Sequence, residues 1–196
     1  MESAFLAMVF RMKHINRWGL MYNTQMENLS VHSFECAALV HFLSNIGNVY
    51  FQKQYDCEKL ATYALYHDAT EVLTGDLPTP IKYYSESLRS SYKDLEHIAA
   101  QNLLNDLPEE MRAVYLPYFE PGVLSEDEKK VVKAADKLCA YIKCKQELNA
   151  GNKEFSAAYR SIKHSINAIE SEEVTHFLKF YFDAFSLSLH EIKGIL

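Results

Sequence analysis

Residues 64–80 read ALYHDATEVLTGDLPTP, and they decide how the rest of the chain is understood. Together with the preceding CEKLATY they predict a helix over 57–73, capped by Asp56 and ended by the breakers Gly75, Pro78 and Pro80. His67 and Asp68 are adjacent on it, and Glu71 follows Asp68 by three residues and His67 by four, a spacing that predicts one shared helical face. TGDLPTP is then a loop with a defined turn. It carries Asp76, an acid that the helix macrodipole disfavours at a C-terminus and that therefore needs another reason to be there.

Outward from this stretch the pattern stays helical. Ser30 is the predicted cap of a helix running through VHSFECAALVHFLSNIG to Gly47, and Leu88, Tyr92, Leu95, Ala99 and Leu103 keep a stripe from Ser85 to Asp106. Ser125 and Glu128 have the spacing of a capping box that starts a helix ending at Gly151. Two more helical stretches are predicted over 154–168 and 171–191, and residues 1–18 read as an amphipathic helix. Phe177, Phe180, Tyr181, Phe182 and Phe185 are assigned to core or to a subunit interface, which leaves room for a homodimer. No period-two alternation marks a strand. The expectation is an all-α fold with one domain over 1–196.

A chain of 196 residues can bury one good core, and only 6 Gly and 5 Pro leave little room for linkers. The net charge of −6 excludes a broad basic field for a nucleic acid polymer, while a local basic pocket for one phosphate stays open. No apolar run reaches the roughly 18 residues a membrane span needs, so a cytoplasmic protein with no membrane partner is expected. Cys36, Cys57, Cys139 and Cys144 form no C-x-x-C pair and are expected to be reduced and mostly buried.

Four positions belong together chemically: His32, His67, Asp68 and Asp136. Two imidazoles and two carboxylates suit a borderline divalent ion such as Mn, Co, Fe, Ni or Zn. Spacing alone does not make them converge, and a lone His is more often a hydrogen-bonded core or surface residue. His14, His41, His97, His164, His176 and His190 are read that way.

The pattern His32 … His67-Asp68 … Asp136 resembles the H…HD…D signature of the HD-domain metal-dependent phosphohydrolases. INRWGLMYNTQMENLSVHS (15–33), ALYHDATEVLTGDLPTPIKY (64–83) and KAADKLCAYIKCKQELNAGN (133–152) more closely resemble the bacterial 5′-deoxynucleotidases of that superfamily. The resemblance implies an HD-domain helical bundle holding one divalent transition metal ion by His32, His67, Asp68 and Asp136. Co2+ or Mn2+ is the expected ion, with Zn2+, Ni2+ and Fe2+ as alternatives. It implies hydrolysis of a deoxyribonucleoside 5′-monophosphate, with Arg17 and Trp18 contacting substrate and Glu71 and Asp76 serving catalysis and substrate positioning. Thr79 and Lys82 are further substrate-binding candidates in the matching loop.

The residue chemistry agrees. Four protein ligands on an ion that accepts six leave room for water and a phosphate oxygen. Glu71 can deprotonate or orient that water. Arg17 offers a planar donor fork for phosphate, and Trp18 a flat wall for sugar or base. Alternatives are an HD-domain phosphohydrolase acting on a triphosphate, cyclic nucleotide or alarmone, and a non-catalytic helical interaction protein. The chain departs from the family pattern at Val31, where relatives commonly carry an acid, and at Lys137, where a small residue is expected. Lys137 is expected to face away from the ion, since successive helical residues point about 100° apart.

Overall fold

Helix α2, Leu29–Tyr50, is the spine of the molecule. Its buried residues Leu29, His32, Ser33, Cys36, Leu39, Val40, Leu43, Ile46 and Gly47 recur every three or four positions, so one face is apolar along its length. The cap is Asn28, not Ser30: Asn28 is extended and its side chain accepts from the Val31 N–H, whereas Ser30 is already inside the first turn. The computed structural model describes residues 2–82 and 84–192.

Two helices complete the frame around α2. Helix α3, Cys57–Tyr66, is capped by Asp56, and helix α8 spans Glu126–Asn149. In chain order α1 is Phe5–Val9, α4 Glu71–Thr74, α5 Thr79–Lys82, α6 Glu86–Asn105 and α7 Glu109–Tyr115. Helix α8, Glu126–Asn149, starts at the expected Ser125–Glu128 capping box, and α9 (Ser156–Asn167) and α10 (Glu172–Phe180) follow it. Leu39 and Leu43 of α2, Leu60 and Ala64 of α3, Ala135, Leu138 and Ile142 of α8, Ile166 of α9 and Phe177 of α10 share one core. Fully burying each large side chain contributes about 1.5–3 kcal/mol, which fixes α2, α3 and α8 against one another.

A smaller cluster of Phe5, Leu103, Leu104 and Leu107, flanked by Tyr66, Tyr115 and Phe119, packs α1, α6 and α7 beside the end of α3. Among the described residues no strand forms, and the extended backbone at Asn16 and Asn28 makes a single isolated bridge. That bridge, with Arg17 N–H to Glu27 O at 2.9 Å and Leu29 N–H to Ile15 O at 3.0 Å, closes residues 17–27 into a strap over the start of α2. No described helix is long and apolar enough to cross a membrane. All four cysteines are free and buried.

Three expected helices are broken. The opening segment is α1 followed by a tighter 3-10 turn over Phe10–His14. The expected helix over 171–191 stops at Phe180, and 3-10 turns follow at Phe182–Ser186 and Leu189–Glu191. Most important, α3 ends at Tyr66. Residues 67–70 form turns with Ala69 N–H on Tyr66 O and Glu71 N–H on Asp68 O, before α4 resumes the helix for four residues. His67, Asp68 and Glu71 therefore do not share the face of one continuous helix. Gly75 then adopts φ +74°, a conformation that a side chain would strain, and turns the chain out of α4.

Candidate active site

Three pieces of backbone meet at one point: the first turn of α2 with His32, the turn after α3 with His67 and Asp68, and the middle of α8 with Asp136. His32 is fully buried. Its Nε2 lies 3.4 Å from Asp68 Oδ2 and 3.3 Å from Asp136 Oδ1, and His67 Nε2 lies 3.3 Å from the same Asp68 oxygen. The two imidazole centroids are 5.3 Å apart.

The orientation of the His67 ring follows from its partner. Its Nδ1 sits 2.6 Å from the Ala64 carbonyl, which can only accept, so Nδ1 carries a hydrogen and Nε2 is the nitrogen turned to the cluster. Both ring nitrogens of His32 and Nε2 of His67 are buried without a hydrogen bond of acceptable geometry. Orphaned buried nitrogens are rare because each costs about 1–3 kcal/mol. Metal–ligand bonds of about 2.1 Å separate neighbouring donor atoms by roughly 3.0–3.4 Å, close to the separations found here. The residues fit a divalent ion.

Charge points the same way. Burial disfavours the Asp68 carboxylate, but His67, His32 and Arg17 outweigh it and hold its pKa well below the usual range. Burial likewise opposes ionisation of Asp136, and His32 overcomes it. For His32 burial favours the neutral ring, yet the Asp136 and Asp68 carboxylates beside Nε2 raise its pKa well above normal. A metal would supply the positive charge these acids attract and leave both rings neutral.

Glu71 is 7% exposed and its Oε2 has no hydrogen-bond partner. Burial first, then the nearby Asp68 and Asp76 charges, push its pKa up to about 9 against the opposing pull of Arg17 and Lys82. Its carboxyl thus lies within electrostatic reach of the cluster although the helix is broken between them. Asp76, in the loop after Gly75, is also raised, by burial first and by Asp68, with Arg17 opposing.

Arg17 and Trp18 arrive on the strap. The guanidinium spans Glu27 Oε1 (3.0 Å from Nε), Asp68 Oδ2 (3.2 Å from Nη1) and Asp136 Oδ1 (3.9 Å from Nη2). Burial opposes its charge, but Asp68, Asp136, Glu27 and Asp76 raise its pKa further. Trp18 Nε1–H donates to Glu27 Oε2 at 3.0 Å, and its ring lies against Phe155 at 5.3 Å between centroids. Its φ of +59° is strained for a bulky residue, a type of outlier that concentrates at functional sites.

Lys82 is partly drawn elsewhere: Nζ pairs with Glu96 at 2.9 Å and sits over the Tyr92 ring. The side chain of Thr79 lies outside the described residues. Lys137 is half-buried, and among the described residues no ion pair joins it to Asp68 or Asp136. Val31 is 44% exposed in the first turn of α2, pointing its substitution at the helix end rather than at the cluster.

Sequence reasoning passed over two residues. Cys36, one turn after His32, places its sulfur within 4.8 Å of the donor atoms of His32 and His67. Its hydrogen bond with Cys139, then burial, raises its pKa well above normal, so it stands as a neutral thiol. The signal was its i+4 spacing from His32 on the apolar face. Glu27 is 8% exposed and joins Arg17, Trp18 and His32; only a fold that bends 17–27 back on itself makes that visible.

Known proteins are similar to this chain over nearly its whole length. A 5′-deoxynucleotidase of Citrobacter koseri is 46% identical, and the 5′-deoxynucleotidase YfbR of Salmonella newport 44%, each over 98% of this chain and 96% of that protein. Among solved structures, an HD-domain phosphohydrolase of Listeria innocua superposes with a TM-score of 0.79 at 22% identity, covering 92% of this chain and 87% of its own. The cyanophage S-2L HD phosphohydrolase DatZ, bound to dA and one catalytic Zn2+ ion, gives a TM-score of 0.63 at 20% identity over 92% of this chain and 95% of its own. These structures bear out the all-helical HD-domain fold. The family model for YfbR-like 5′-deoxynucleotidases matches residues 4–185, and the chain belongs to that family.

Proposed function

We propose that the chain hydrolyses deoxyribonucleoside 5′-monophosphates to deoxynucleoside and phosphate, with His32, His67, Asp68 and Asp136 as the ligands of one divalent ion. The observation that carries this reading is the orphaned pair of imidazole Nε2 atoms, facing two carboxylates beside Arg17 and Trp18. The family relatives named 5′-deoxynucleotidase support the reaction class, and the dA-bound, zinc-containing DatZ supports a deoxynucleoside as the ligand. The mixed nitrogen and oxygen donor set favours Co2+ or Mn2+ over Mg2+.

Such an ion, when bound, lowers the pKa of a water and polarises a phosphoryl oxygen. Arg17 holds the phosphate through its donor fork, exchanging contacts with Asp68 and Asp136 for phosphate oxygens. Trp18 lies against the sugar or base. Glu71 accepts the proton of the attacking water and returns it to the leaving 5′-oxygen. Its raised pKa suits the second step, and a nearby cation brings it down for the first. Asp76, and more weakly Thr79 and Lys82, position the substrate.

A single phosphate fits better than a triphosphate, because Arg17 and Lys82 are the cationic side chains that act on both Glu71 and Asp76, and Lys82 already pairs with Glu96. A small-molecule substrate, a cytoplasmic location and a homodimer complete the proposal. It is tested by phosphate release from dAMP, dTMP and AMP with Mn2+ or Co2+. Turnover of the deoxyribonucleotides well above AMP is expected; equal turnover of AMP and dAMP removes the sugar selectivity, and no turnover removes the reading.

A further inference from the structure

We propose that Glu27 is the positioning residue that fixes Arg17 and Trp18 as one substrate-facing unit, an inference that rests on the function proposed above. One carboxylate serves both neighbours. Oε1 forms an ion pair with Arg17 Nε at 3.0 Å without the alignment of a hydrogen bond, and Oε2 accepts from Trp18 Nε1–H at 3.0 Å. The backbone repeats the link, since the Glu27 carbonyl accepts from the Arg17 N–H at 2.9 Å. Oε1 also lies 3.6 Å from Nδ1 of His32, on the side of the ring opposite Asp136.

The need for such a group follows from the strap itself. Arg17 and Trp18 lie outside any helix, and Trp18 is held at φ +59°, so the backbone alone gives neither side chain a rigid bearing. A long Arg has many rotamers, and fixing it costs side-chain freedom. Glu27 settles that cost before a ligand arrives. With the guanidinium paired to Glu27 by charge at Nε, the Nη edge is directed at Asp68 and Asp136. With Nε1 tied to the same group, the indole face is set relative to the guanidinium. The distance between a phosphate held by one and a sugar held against the other is then determined by a single buried side chain, 8% exposed.

Gln at this position separates charge from shape. An amide carries no charge and has one acceptor oxygen beside an NH2 group, so it loses the ion pair with Arg17 and puts a donor against one of its two neighbours. E27Q is therefore expected to raise KM for dAMP about tenfold to a hundredfold, with a smaller change in kcat, and to narrow the dAMP-to-AMP preference by about tenfold. Trp18 is the only tryptophan, so the fluorescence of the full-length protein reports on it directly. E27Q should shift its emission to the red and make it more accessible to acrylamide, with bound metal per chain unchanged.

W18F provides an independent arm. It keeps a ring against Phe155 but removes the donor, so it should narrow the same preference, and E27Q added to it should narrow it much less than E27Q does alone. Unchanged emission and quenching in E27Q overturns the proposal whatever the turnover. So does an unchanged KM and preference, or a loss of kcat that tracks loss of metal. Should E27Q not fold, a wild-type preference in W18F overturns it. A wild-type protein that releases no phosphate defeats the functional reading instead, and the fluorescence arm still decides whether Glu27 holds Trp18.

Discussion

Helix α8 carries two buried charge clusters about 16 Å apart by helical rise, and they are built on opposite plans. Near its C-terminal end Glu147, 1% exposed, accepts from Lys143 Nζ (2.5 Å), the Thr24 N–H (3.0 Å) and hydroxyl (2.6 Å), the Gln25 N–H (3.2 Å) and Asn152 Nδ2 (2.8 Å). Lys143 also donates to the Gln25 carbonyl. Around Asp136, in contrast, His32, His67 and Glu71 all hold buried polar atoms with no hydrogen bond. A buried charge whose every lone pair is used is a structural clamp, here fastening the strap to the frame. A buried cluster left incomplete stores binding capacity for something that arrives later.

The sharpest way to break this comparison is to remove a residue from the incomplete cluster. H67A should lower kcat/KM by roughly 5 kcal/mol, several thousandfold, and abolish stoichiometric metal binding. Its folding stability should fall by only about 1 kcal/mol, for the hydrogen bond to Ala64. Steady-state kinetics, elemental analysis and denaturant unfolding measure the three, and a protein with full activity or full metal content defeats the assignment.

E71Q should cost about a hundredfold to a thousandfold in kcat. Stability of the metal-free protein should move the other way. Because the folded state holds the Glu71 proton to about pH 9 and the unfolded chain releases it near 4.3, wild-type stability falls as pH rises between those values. E71Q lacks that penalty, so its Tm should exceed wild type by a margin that widens from pH 5 to pH 9. A constant margin would mean that Glu71 is not held neutral.

How much of this was legible beforehand differs between the same regions. His32, His67, Asp68 and Asp136 could be chosen from residue type and motif, and the Ser125–Glu128 box and the core faces of α2 and α8 from periodicity. The break after Tyr66 was not legible, because Ala69 to Leu73 have ordinary helical propensity and what ends α3 is tertiary: Tyr66 and Ala69 are drawn into the packing around Met12, Leu29 and Phe119. The shift of the cap from Ser30 to Asn28 is equally non-local, since Asn28 is held extended by its pairing with Asn16. Lys143 and Asn152 are near Glu147 in sequence, but the clamp was invisible because its other donors, on Thr24 and Gln25, lie 122 or more residues away in the strap. Nothing in EL or ELN announces it.

The complete cluster gives a middle-sized effect of the opposite kind. E147Q leaves Lys143 without its counter-charge and should cost about 3 kcal/mol, or roughly 6–12 °C in Tm, while metal content stays at wild-type level. Lys143, Thr24 and Asn152 together overcome the burial that disfavours the Glu147 carboxylate and hold its pKa below the usual range. Its contribution is therefore fully present above about pH 4.3 and is lost as pH falls below it. E147Q should flatten that acid limb of the stability curve. A larger loss of kcat than of stability would instead make the clamp part of the active site.

The smallest effect belongs to Val31, the position where the resemblance implies an acid. Asn28 is the cap of α2, so Val31 occupies the third helical position, where an acid can reach back to the cap backbone and faces the positive end of the macrodipole. The side chain is exposed, whereas His32, about 100° further round the helix, is fully buried. An acid at this position consequently acts on the helix start and not on the ligand beside it. V31E should raise stability by about 0.3–1 kcal/mol and change kcat/KM by less than about twofold. A tenfold change in activity or metal affinity would transfer this residue from the complete, structural side of the comparison to the incomplete one.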